Sequence, residues 1–188
     1  MELAVILLPV MAFIALAAGL IVVFRGTTRS AARTREIHQF RAGVRDLAAR
    51  VEASLESATA RIDAVRHHQA GPEVIGQTVV DASDALERYE DEARALKGPR
   101  RAQAIRDDFI AELERASRAL DMVEHGANML ATSRRGSREL EAQTSIKRGY
   151  LNLIHAREAI ARHAVRADDL RADEPPSDGA GVVSDRRI

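Results

Sequence analysis

The chain has no cysteine and no tryptophan, and only four Phe and two Tyr in 188 residues. Without cysteine there is no disulfide, no thiolate zinc site and no cysteine nucleophile. Net charge is also missing: 28 Lys and Arg balance 28 Asp and Glu. That balance disfavours a nucleic-acid binder built on overall basicity. Lysine occurs only at Lys97 and Lys147, so nearly every basic residue is Arg, which reads as genomic base bias and not chemistry. Catalytic motifs are absent too. There is no Gly-rich phosphate loop, no Gly-x-Ser-x-Gly elbow and no His-Glu-x-x-His, the arrangements that hold phosphates, activate serine or bind catalytic zinc. No Glu is followed three residues later by His, as a ferritin-like di-metal core requires. The expectation is a protein that is not an enzyme and carries no cofactor.

What is present begins with residues 3–24, LAVILLPVMAFIALAAGLIVVF, which contain no charge. Such a run as a helix spans about 33 Å, enough for the hydrocarbon core of a bilayer. The next charges are Arg25, Arg29, Arg33 and Arg35, ahead of the first acid at Glu36. Positive charge stays in the cytoplasm, so the N-terminus is expected outside and the remainder inside, at the inner (plasma) membrane. The rival is a cleaved signal peptide ending at Ala15-Leu16-Ala17, which would make the rest an exported bundle. Against it, the second residue is Glu and the apolar run continues past Ala17. Residues 1–25 are therefore expected to form a transmembrane anchor. Residues 26–35 follow as a basic juxtamembrane segment, with the four arginines facing anionic lipid headgroups. Ala15 and Gly19 form a small-xxx-small pair that would let two spans pack into a homo-oligomer.

Residues 36–172 carry four apolar stripes with alternating three and four spacing. The first runs from Ile37 through Phe40, Val44 and Leu47 to Val65, and the second from Ile75 to Leu96. The third runs from Ile105 to Leu130, and the fourth through Ile146, Tyr150, Leu153, Arg157, Ile160 and Ala164. Each set falls on one helix face, and a period near 3.5 implies shallow, coiled-coil-like crossings. Gly71-Pro72, Gly98-Pro99 and Gly136-Ser137 separate the stripes. Gly supplies a left-handed stop, Pro suits a new first turn and Ser137 suits an N-cap. The predicted helices are roughly 34–69, 73–97, 100–134 and 137–171, and turns this short make neighbours antiparallel. The fold class is all-α, an up-down four-helix bundle, with an extended three-helix arrangement as the alternative. The tail 173–188 is rich in Pro, Gly and acids and is expected to be disordered.

Candidate sites are few. His155 and His163 lie eight apart on roughly one helix face and are the only pair considered for a metal. Lys147, Arg148 and Tyr150 lie in residues 143–150, the least Ala- and Glu-like part of any helix, and form a candidate partner face with Arg157. Arg157 sits where an apolar residue belongs, either as a snorkelling stem or as half of a buried ion pair. Gly43, Gly76, Gly126 and Gly149 fall inside helices, where they either let backbones approach or loosen the bundle. The overall plan, an outside N-terminus, one span and a cytoplasmic helical bundle, resembles that of LemA-type and EzrA-type bacterial proteins. This likeness is one of architecture, with no motif of either family in the chain. The function expected is a membrane-anchored scaffold that recruits an unidentified protein partner. Alternatives are a signalling or stress-response module working by helix rearrangement, a metal or small-ligand binder, and the exported bundle.

Overall fold

In a computed structural model, four helices follow one another: α1 (Glu2–Arg66), α2 (Glu73–Ala95), α3 (Arg100–Thr132) and α4 (Ser137–Asp168). The structure describes residues 2–132 and 137–170, with side chains for 32–132 and 138–170, and contains no strand among them. α1 and α3 each pack against α2 and α4 and barely touch one another. The ring order is therefore α1-α2-α3-α4, each helix antiparallel to its neighbours. This is the up-down bundle, and the end-to-end stacking of the three-helix alternative does not occur. Among the described residues no helix is long and apolar enough to cross a membrane. The run 3–24, with Ala15, Gly19, Arg25 and Arg29, lies outside the residues whose side chains are described, and so does the tail 173–188.

The stripes build the core. Every apolar position of the first stripe, from Ile37 to Val65, is buried, as are Ile105, Phe109, Leu113, Leu120 and Val123 of the third. Burying a side chain of this size contributes about 1.5–3 kcal/mol. The core begins at Ile37, and residues 32–36 of α1 have no buried side chain. On α4 the buried positions are Ala142, Ile146, Gly149, Leu153, Ala156, Ala159, Ile160 and Ala167. Arg157 and Ala164 are only half-buried, so the fourth stripe runs through Ala156 and Ala167 instead. The buried hydroxyls of Thr59 and Thr78 donate to the carbonyls of Leu55 and Val74, both at 2.8 Å, which removes their desolvation cost.

Helix ends differ from the predicted ones for local reasons. α1 stops at Arg66, and the left-handed residue is His68, with φ of 57°, not Gly71. The His68 amide donates to the Val65 carbonyl (3.0 Å) and the Gln69 amide to that of Ala64 (2.8 Å). That pair of bonds is a Schellman cap with His68 at the position that favours Gly. α2 ends at Ala95 because Leu96 turns extended, with ψ of 121°. The Leu96 side chain then folds over Gly43, where an added Cβ would meet its Cδ2 at 2.6 Å. Gly98 lies against Phe40, which fixes the α2–α3 turn to the start of the core. α3 is described as far as Thr132 and α4 from Ser137, and α4 ends at Asp168.

The closest approach is between α3 and α4. A Cβ at Gly126 would lie 2.8 Å from the Ala142 carbonyl oxygen and 2.7 Å from Ile146 Cγ1. A Cβ at Gly149 would lie 2.7 Å from the Ala119 carbonyl oxygen and 2.6 Å from Val123 Cγ2. The two glycines thus seat reciprocally on the backbone of the opposite helix. Ser145 Oγ adds a bond to the Met122 carbonyl at 2.8 Å. Gly76 meets nothing within 4 Å.

These contacts order the glycine variants. Gly126→Ala and Gly149→Ala are each expected to destabilise the full chain by about 1–3 kcal/mol in chemical denaturation, because backbone cannot move aside as a side chain tip can. Gly76→Ala is expected to stabilise by about 0.5–1 kcal/mol through helix propensity alone. Equal effects at all three positions would contradict the packing. His68→Gly relieves the left-handed conformation and is expected to raise the melting temperature by a few degrees, about 1 kcal/mol; a fall would show that the ring itself stabilises the turn.

Candidate functional site

α1 ends level with the middle of α4. The Arg66 guanidinium lies over the Tyr150 ring, 4.3 Å from its centroid, thirteen positions into α4 by residue number (150 − 137). The first turns of α4 therefore run past the end of α1. On this stretch Ile146, then Gln143 and Glu139, line the space beyond the end of α1. The apolar stripe turns polar where its partner helix stops. The corner left open is a cavity of about 370 Å³. Val65, Leu130, Ile146 and Ala70 give it apolar walls, and Arg66, His68, Lys147, Gln143 and Glu139 give it polar ones. Arg66 is held on one side by Asp63 (2.8 Å) and on the other by the tyrosine ring. An amphipathic cavity of this size has the lining of a small-molecule site: apolar area for affinity and a few polar groups for orientation.

The candidate partner face divides between two sites. Lys147 lines the corner cavity and Tyr150 anchors Arg66 beside it. Arg148 points to the other side, into an open groove of about 400 Å³ between α3 and α4 with Met122, Met129 and Leu140. Leu140 is 69% exposed, the most exposed large apolar side chain among the described residues. Arg157 is half-buried and makes no ion pair among the described residues, which fits the snorkelling stem and not the buried pair. His155 is exposed, 4.0 Å from Glu158, and His163 lies 3.4 Å from Arg166. Among the described residues no group of three His, Asp or Glu side chains is placed to hold a metal ion. Arg33 and Arg35 are exposed at the start of the described part of α1.

Sequence reasoning missed the arginine-tyrosine pairs. Arg50 of α1 binds Glu92 of α2 through both carboxylate oxygens, one at 3.1 Å. It also contacts Asp46 at 3.0 Å and lies 5.2 Å from the Tyr89 ring centroid. The Tyr89 hydroxyl is 3.1 Å from Ser54 Oγ. Hydrogen bonding to Arg50 holds the Glu92 carboxyl below its ordinary range and raises the Arg50 guanidinium. Bidentate geometry makes this the strongest of the surface pairs, whereas singly bonded pairs such as Arg45–Asp168 (2.6 Å) contribute little. The signal in the sequence was the scarcity of tyrosine itself: both tyrosines of the chain lie beneath an arginine from α1.

Comparison with known proteins gives no relative: no family model, no curated protein and no solved structure matches the chain.

Burial lowers the His163 imidazole below its ordinary 6.5, with Arg166 and Arg162 adding to the shift and Asp108 and Glu112 opposing it. A histidine with a depressed folded pKa contributes stability that is present above its unfolded pKa and is lost as pH falls through the folded one. The melting temperature of the full chain is expected to be flat above about pH 6.5 and to decline below it. His163→Gln is expected to flatten the part of that decline nearest neutrality. A His163→Gln curve that keeps the full slope would place the proton uptake elsewhere.

Proposed function

We propose that the chain is a single-pass, membrane-anchored helical-bundle module that presents an interaction surface at the inner face of the membrane. The observation that carries this reading is the continuity of α1. One helix, Glu2–Arg66, contains both the charge-free run 3–24 and the first core stripe of the bundle. Ile37 lies thirteen positions after Phe24, about 20 Å along the helix. The bundle would therefore stand off the bilayer on a basic stalk bearing Arg25, Arg29, Arg33 and Arg35, with anionic headgroups as their partners. The outer faces would stay open to a protein partner or a second copy. The backbone contacts of Gly126 and Gly149 favour a rigid platform over a module that works by helix rearrangement.

The absence of cysteine makes the topology simple to test. In spheroplasts, Glu2→Cys is expected to react with a membrane-impermeant maleimide, and Ser57→Cys to react only after the membrane is opened. The opposite pattern, or an N-terminus trimmed near Ala17 by mass spectrometry, would replace this reading with the exported bundle. In-cell crosslinking from the bundle faces should recover the same partner repeatedly at native expression; recovery of lipid alone would remove the scaffold role.

A further inference from the structure

We propose that the corner cavity beside the end of α1 binds a small amphipathic anion, a carboxylate carrying a compact apolar body. The volume of about 370 Å³ lies in the range of small-ligand sites. Its inner end brings two cations from different elements to one place, Arg66 from α1 and Lys147 from α4, next to apolar Ile146 and Leu130. Lys147 has no hydrogen bond or ion pair among the described residues. Arg66 spends one nitrogen on Asp63 and is fixed against Tyr150. Its remaining N–H groups stay available in a pre-set orientation, which lowers the entropy cost of binding.

Charge is graded along the cavity. Glu139 sits eight residues from Lys147, about 12 Å along α4. A negative headgroup is thus drawn to the inner end, away from the one carboxylate that lines the cavity. Two cations, one already shared with an aspartate, match a monoanion better than a phosphate dianion, and the apolar walls call for an uncharged body. A second observation points to the same place. His68 on the rim adopts the left-handed conformation at 57°, where Gly would cost less. The turn gives up stability to hold an imidazole at the mouth of the cavity. This inference is independent of the anchor, because the cavity faces away from the end where α1 enters the bundle.

The test is a titration of the full chain in nanodiscs, with labelled Ile, Leu and Val methyl groups, using phenylacetate as the probe. Phenylacetamide and inorganic phosphate serve as controls. Saturable shifts of Ile146 and Leu130 with phenylacetate alone, at a Kd of millimolar or tighter, are expected. Lys147→Met should weaken binding about tenfold or more by removing a charged donor. Ala70→Leu should fill the cavity and abolish binding while far-UV circular dichroism and the melting curve show the bundle intact. No saturation by about 10 mM phenylacetate would overturn the proposal. Equal shifts with phosphate would reduce the site to general attraction at a basic surface, and equal shifts with phenylacetamide to apolar partition; either overturns it. So does undiminished binding in both variants.

Discussion

The contact on which the bundle depends is that of two glycines with two stretches of backbone. Gly126 seats against Ala142 and Ile146, and Gly149 against Ala119 and Val123. This reciprocity brings α3 and α4 together more tightly than any other pair. The small side chains around it, Ala116, Ala127, Ala156 and Ala159, are all buried. At these two glycines the α3 and α4 backbones come within van der Waals reach of one another. The large fully buried side chains come from all four helices: Phe40, Leu47, Leu55 and Ile62 of α1, Ile75 and Leu86 of α2, Phe109, Leu113 and Leu120 of α3, and Leu153 and Ile160 of α4. The bundle is thus asymmetric in its contacts: α3 and α4 pack against each other more extensively than α1 packs against α2 or α4.

That asymmetry also accounts for the corner cavity. α1 is stopped at Arg66 by the Schellman cap, while the α3–α4 hairpin continues. Of the connecting turn, His68 and Ala70 line the space, and Pro72 borders it at the entry of α2. At the opposite end the turn between α2 and α3 is packed closely, with Leu96 over Gly43 and Gly98 on Phe40. Among the described residues, side chains close the α2–α3 end, and the corner beside the end of α1 stays open.

Fold class and helix order were legible because the periodic apolar positions of α1, α2 and α3 are large and regular. The fourth stripe was misread for a physical reason. Its true face passes through Ala142, Gly149 and Ala156, residues with little hydrophobic signal, so Tyr150 and Arg157 looked like the better continuation. The end of α1 was misplaced because Gly71 is the residue chemistry favours for a left-handed stop, whereas His68 takes that role. The close-approach role of glycine was readable for Gly126 and Gly149 but not which helices they join. The cavity was not readable at all, since it arises from where α1 ends relative to α4, a relation that no single helix encodes. Lys147 and Tyr150 drew notice as neighbours in sequence. Arg66, which joins them to one site, came from a segment more than eighty residues away (150 − 66 = 84).

The pairing of both tyrosines with arginines of α1 gives this protein its own optical reporters. With no tryptophan in the chain, near-ultraviolet emission comes from Tyr89 and Tyr150. Tyr89 senses the seam between α1 and α2, and Tyr150 the seam between α1 and α4. The two seams lie on different flanks of the same helix, so the emission of chains that keep one tyrosine each (Y89F or Y150F) would say from which side α1 lifts away as the bundle opens.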